Sequence, residues 1–138
     1  MPKYLSNSEN GTKKIAANIA KKAKTNIFAL TGELGAGKTT FIQGFAKGLG
    51  IKGKIISPTF VIIRQHQIPG TRKTLYHMDL YRLENTQDFK ELGIEEILLN
   101  PNNIVLIEWA EKYPVLPQST LRINITKLKA SQRLIFTD

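Results

Sequence analysis

The sequence contains no cysteine, which removes disulfide cross-links, thiolate metal sites and cysteine nucleophiles from consideration. It has no apolar stretch near the roughly 20 residues that a bilayer-spanning helix requires. Its first residues, among them Lys3, Asn7, Ser8 and Glu9, lack the apolar core of a secretory signal. A soluble, cytoplasmic protein is the expectation. Histidine is scarce: His66 and His77 do not have the spacing of a metal site, and His77 reads as a structural group or a hydrogen-bond partner of Asp79. No internal repeat or low-complexity tract is visible, and 41% hydrophobic with 22% charged residues sets disordered and fibrous classes aside. A length of 138 residues predicts one domain over residues 1–138.

Acidic residues are few against basic ones, and the net charge of +9 is unevenly placed. Residues 1–26 carry six lysines against one glutamate, residues 112–138 five basic residues against one aspartate, and residues 27–111 nine of each sign. The excess lies on the two ends of the chain, either as a surface for RNA or an acidic partner or as a solvated helix face and tail; charge alone does not choose.

Against these absences stands one dense stretch, Gly32-Glu33-Leu34-Gly35-Ala36-Gly37-Lys38-Thr39-Thr40. It fits GxxxxGK[ST], the phosphate-binding P-loop, in which glycines let successive backbone N–H groups turn toward phosphate oxygens. The motif marks a nucleotide site when a strand enters it and a helix leaves it. Ile27-Phe28-Ala29-Leu30-Thr31 is a continuous apolar run of the kind found in a strand covered on both faces. Phe41, Ile42, Phe45, Ala46 and Leu49 make one helical stripe after it, closed by Gly48 and Gly50. Upstream, a short strand over 3–5 precedes an amphipathic helix over 8–24 with Ser8 as N-cap.

Downstream, Pro58 keeps 57–59 a loop, and strands over 60–66 and 74–83, turned by Pro69-Gly70, form an antiparallel hairpin. An extended 74–83 puts His77, Asp79 and Tyr81 on one side and Met78 and Leu80 on the other. Helical turns follow over 85–92 and 94–99. Ile104 to Trp109 is a second buried-type strand ending in Glu108, and 120–126 with 132–137 alternate as two closing strands. The expected fold is α/β: a small P-loop NTPase with a mixed, mainly parallel central sheet flanked by helices.

Backbone amides of Gly35, Ala36, Gly37, Lys38 and Thr39, with the positive pole of the next helix, suit the α- and β-phosphates of ATP. Lys38 reaches the β/γ oxygens and the Thr39 hydroxyl binds Mg²⁺. Hydrolysis needs a group for the water and charge stabilisation on the phosphoryl; Asp79 and Glu108 are the candidates, and their division of labour stays open. Thr59 stands where a switch loop would sense the γ-phosphate, Arg82 and Arg133 offer positive charge, and Trp109 is placed near the nucleotide by Glu108.

Five stretches, 32–40, Ser-Pro-Thr-Phe (57–60), His-Met-Asp-Leu-Tyr-Arg-Leu (77–83), Leu-Gly-Ile-Glu-Glu (92–96) and Ile-Glu-Trp (107–109), in that order closely resemble the TsaE (YjeE) family, small P-loop ATPases of the bacterial tRNA threonylcarbamoyladenosine pathway. Glu33 stands where that family usually has Asp, at a position that contributes mainly backbone. The resemblance implies an ATPase that binds the TsaB–TsaD heterodimer and supports transfer of a threonylcarbamoyl group to the adenosine following the anticodon, with TsaD performing the transfer and tRNA met indirectly or through the basic ends. It implies Lys38, Asp79 and Glu108 in the chemistry, and Thr39, Glu108 and Asp79 around the metal. Ser8, Glu33, Thr40, Thr59, Trp109 and Arg133 join the loop around the nucleotide. Two other readings remain: a small P-loop kinase, which the lack of an Arg-rich lid segment disfavours, and a nucleotide-dependent RNA- or protein-binding module.

Overall fold

The computed structural model of the chain describes residues 2–33, 35–53, 55 and 62–138. In chain order the elements are β1 (Lys3–Ser6), α1 (Glu9–Lys22), β2 (Ile27–Gly32), α2 (Lys38–Gly48), β3 (Ile63–Gln67), β4 (Thr74–Asp79), α3 (Thr86–Glu91), α4 (Ile94–Leu99), β5 (Asn103–Glu108), β6 (Leu121–Lys129) and β7 (Gln132–Thr137). The strands form one seven-stranded sheet in the order β1-β7-β6-β2-β5-β4-β3. Its middle is parallel, β2 pairing with both β5 and β6, and β5 with β4. Antiparallel pairs close both edges: β3 with β4, β6 with β7, and β1 with β7.

β2 explains why the middle is parallel and covered. All four of its leading residues are buried, and they alternate between two cores. Phe28 and Leu30 pack with Phe41, Phe45, Ile123 and Ile125 under α1 and α2, whereas Ile27 and Ala29 pack with Val105, Ile107, Phe89, Ile94 and Leu98 under α3 and α4. Phe28 and Phe45 meet edge to face at 4.9 Å; each such fully buried ring contributes about 2 kcal/mol by removal from water. α1 starts where Ser8 Oγ accepts the Gly11 N–H at 2.9 Å, and a buried Ser6–Thr12 hydroxyl contact of 2.7 Å ties it to β1. The β1–β7 pairing brings the two basic chain ends to the same edge of the sheet.

Three expected boundaries move. The strand expected over 74–83 ends at Asp79, because the Asp79 carboxylate accepts the Tyr81 N–H at 3.0 Å and the Leu83 N–H turns back to the Leu80 carbonyl. Tyr81 therefore leaves the strand face that carries His77 and Asp79. The strand expected to include Trp109 ends at Glu108, and Trp109 takes a left-handed φ of 57° that leads into a 3-10 turn, Ala110–Lys112. β6 runs on to Lys129, where its residues are exposed and carry no apolar alternation to read. The hairpin of β3 and β4 forms as expected, in the register Ile63 opposite Met78.

Candidate nucleotide site

The P-loop leaves the C-terminal end of β2, in the middle of the sheet. A side chain at Gly32 would meet the Ile125 carbonyl at 2.9 Å, and Gly37 has a φ of 103°, so the turn needs glycine at both positions. α2 then begins at Lys38, directing its unpaired amides and positive pole into the loop. Arg133 on β7 holds this curve from outside: its Nε donates to the Ala36 carbonyl at 2.8 Å and its Nη1 to the carbonyls of Ala130 and Gln132.

Across the loop, the ends of β4 and β5 present the acids. Parallel pairing sets Asp79 beside Glu108, on the sheet face that carries the P-loop. Glu108 is buried, at 6% exposure. Its Oε1 lies 4.0 Å from Lys38 Nζ and its Oε2 2.9 Å from His77 Nε2. Asp79 is half-buried; burial pushes its carboxyl above the ordinary value and the Glu108 charge adds to that, against the Tyr81 N–H and Lys38, which pull it down. Lys38 Nζ also stands 5.2 Å from the Trp109 ring centroid, and Trp109 packs on Tyr81 at 4.9 Å. Lys112 fixes the Tyr81 turn by donating to the Tyr81 and Leu83 carbonyls.

These groups line one cleft of about 740 Å³, within the range of small-molecule sites. Of the residues expected from the sequence, Gly35, Gly37, Lys38, Thr39, Thr40, Asp79, Glu108, Trp109 and Arg133 are in its wall. Glu33 and Ala36 line a smaller neighbouring cleft of about 280 Å³ on the other side of the loop. Ser8 is occupied as the α1 cap, one residue from Glu9, which lines the main cleft. Thr59 lies outside the described residues, with the rest of 57–60. Sequence reasoning did not place Glu9, Ile62 or Tyr81 in the wall; Tyr81 is signalled by the Asp-initiated turn, while Glu9 and Ile62 carry no local signal. His77, expected as a structural group or a hydrogen-bond partner of Asp79, is buried and bonds Glu108 instead of Asp79.

The donors suit Mg²⁺. Glu108 and Asp79 carboxylates and the Thr39 hydroxyl are hard oxygen ligands sharing one cleft, and among the described residues no cluster of three or more His, Cys, Asp or Glu forms a protein-only cage. Mg²⁺ is commonly held by one or two carboxylates together with phosphates and water. Among the described residues no helix is long and apolar enough to cross a membrane.

A family model described as threonylcarbamoyl adenosine biosynthesis protein TsaE matches residues 6–135. The tRNA threonylcarbamoyladenosine biosynthesis protein TsaE of Haemophilus influenzae is 41% identical over 97 residues, which cover 70% of this chain and 60% of that protein. The protein of the same name from Rickettsia conorii is 41% identical over 132 residues (93% and 73%), and that from Bacillus subtilis 43% over 126 (90% and 77%). The crystal structure of Bacillus subtilis YdiB superposes with a TM-score of 0.76 at 37% identity, covering 99% of this chain and 84% of that one.

Proposed function

Because the chain belongs to the TsaE family, we propose that it is the Mg²⁺-dependent, ATP-hydrolysing subunit of tRNA threonylcarbamoyladenosine formation. In this reading it acts in the cytoplasm with TsaB and TsaD, and meets tRNA through them or through its own basic ends. The observation that carries the catalytic part is the facing of Lys38 and Glu108 across the cleft, 4.0 Å apart, with Asp79 in the same wall.

The order of events follows from these contacts. Loop amides from Gly35 to Thr39 and the start of α2 receive the α- and β-phosphates. Lys38, paired with Glu108, would exchange that partner for phosphate oxygens, which bear more charge. Glu108 and Thr39, joined by Asp79, would hold the metal, and Mg²⁺ bound there would neutralise charge on the phosphate oxygens. The attacking water would be oriented by whichever of Asp79 and Glu108 keeps an oxygen free of the metal. Arg133, locked to Ala36, keeps the loop curved during the exchange.

The test is ATP hydrolysis and tRNA modification measured for the chain alone and with purified TsaB and TsaD. Turnover is expected to rise with the partners and to fall at least roughly a hundredfold in Lys38→Ala and Glu108→Gln, the scale seen when a charge-stabilising group is removed. Full modification by both variants, or phosphate recovered on a metabolite rather than free, overturns the proposal.

A further inference from the structure

We infer that His77 is a positioning residue for the reacting carboxylate: it occupies Glu108 Oε2 so that Oε1 is the oxygen presented to the P-loop.

His77 is fully buried, at 0% exposure, on β4. A buried polar ring is retained at a cost unless its hydrogen bonds are met. Its Nε2 meets Glu108 Oε2 at 2.9 Å, while its Nδ1 is buried with no hydrogen-bond partner among the described residues. These two facts assign the proton. On Nδ1 it would be a buried donor without an acceptor, and the bare Nε2 lone pair would then face a carboxylate oxygen. On Nε2 it makes the one strong bond available, and the atom left bare is only an acceptor, the cheaper vacancy.

The sheet register makes this pairing rigid. His77 stands opposite Leu106 and Asp79 opposite Glu108, so His77 reaches Glu108 along the diagonal of a parallel pair, on the same face. The two oxygens of Glu108 thereby have different duties. Oε2 is held from the sheet side by a buried ring; Oε1, 4.0 Å from Lys38 Nζ, faces the cleft.

The consequence is felt only after nucleotide arrives. In this structure Lys38 and His77 both restrain Glu108. Once Lys38 turns to phosphate, His77 is the restraint left among the contacts described. Without it the carboxylate could offer either oxygen, or both, to a metal at the cleft just when its direction matters. Loss of His77 should therefore lower kcat and leave nucleotide affinity nearly unchanged, the split expected for an interaction that matters in the transition state. The kinetic part of this inference rests on the proposed ATP hydrolysis; the hydrogen-bond assignment does not.

The experiment combines one spectroscopic and one kinetic measurement. Long-range nitrogen–proton NMR of the nucleotide-free protein is expected to show the His77 proton on Nε2; a proton on Nδ1 overturns the inference. Turnover with the partner proteins is then measured for three variants. His77→Leu and His77→Asn, whose amide reaches only to the Nδ1 position, are expected to lose roughly 10–100-fold in kcat, with affinity for Mg²⁺-free ADP within about twofold of the parent. His77→Gln, whose amide reaches the Nε2 position, is expected to restore most of that loss. Full turnover in His77→Asn while Glu108→Gln is inactive overturns the inference, as does an equal loss in all three variants that tracks their melting temperatures. If Glu108→Gln itself turns over normally, the hydrolysis reading fails instead, and the NMR result still decides the assignment for His77.

Discussion

The crossing of α1 and α2 turns on two glycines, and filling either should destabilise the protein against the helix propensity of the change. A side-chain carbon at Gly44 would lie 2.5 Å from both the Cα and the carbonyl oxygen of Lys13; at Gly48 it would lie 2.6 Å from the Ala17 Cα and 2.7 Å from its carbonyl oxygen. Ordinary contact begins at 3.4 Å, so α1 must withdraw by about 1 Å, and the obstacle is backbone, which has no rotamer to change. Gly→Ala inside a helix gains roughly 0.5–1 kcal/mol. Overpacking costs typically about 1–3 kcal/mol, and a clash with backbone belongs at the upper end. The net is a loss of about 2 kcal/mol for Gly44→Ala, which for a chain of this size lowers the melting temperature by roughly 5–10 °C. Thermal unfolding followed by far-UV circular dichroism reads this directly, with Lys47→Ala on the exposed side of α2 as the control for propensity. A melting temperature equal to or above the parent's refutes the account, since propensity would then have won. A second arm tests the cause. In Gly48→Ala, removing the Ala17 Cβ relieves only the 3.0 Å contact, so the double variant with Ala17→Gly should stay as unstable or become worse. Recovery to the parent value would show the clash to be with the side chain after all.

Asp79 links stability to pH. Its folded carboxyl is raised above the ordinary value near 3.8, so the folded state favours the proton, and ionisation weakens folding as pH climbs through the raised value. Asp79→Asn keeps an oxygen for the Tyr81 N–H and should melt higher than the parent at pH 7, the gap closing as pH falls toward 4; a gap that widens on acidification contradicts the assignment. The same variant should lose ATP turnover, because stability and chemistry make opposite demands at this position. Trp109 is the sole tryptophan, with Lys38 at 5.2 Å from its ring. Nucleotide binding should change its emission as the ammonium leaves, and Lys38→Ala should abolish that response; an undiminished change in a Lys38→Ala sample shown to bind nucleotide removes Lys38 as the cause.

The features legible in the sequence are those whose causes lie within one turn or one strand. Ser8 caps α1 through a residue three positions on, the P-loop curve is written in its own glycines, and the unbroken apolar run of β2 announces a strand covered on both faces. The end of β4 was hidden for a reason equally local but carried by a side chain: alternation continues through Leu80 and Tyr81, and only the Asp79 carboxylate, by taking the Tyr81 N–H, stops the strand. Beyond the hairpins, side-chain partnerships between strands distant in sequence were not legible. His77 and Asp79 share a strand face two residues apart, so proximity in sequence joined them; strand order brings β5 against β4, and Glu108 takes the imidazole. Strand order also gathers two basic ends that the sequence showed only as separate tails. Its largest effect is on the P-loop. Because β2 lies between β5 and β6, the loop leaving it is held from opposite sides, by Arg133 on Ala36 from the β6–β7 edge and by Glu108 facing Lys38 from β5. The first contact fixes backbone and, in the proposed reading, would persist when phosphate binds. The second is an ion pair that phosphate can take over, and this difference is what lets a rigid loop contain one exchangeable charge.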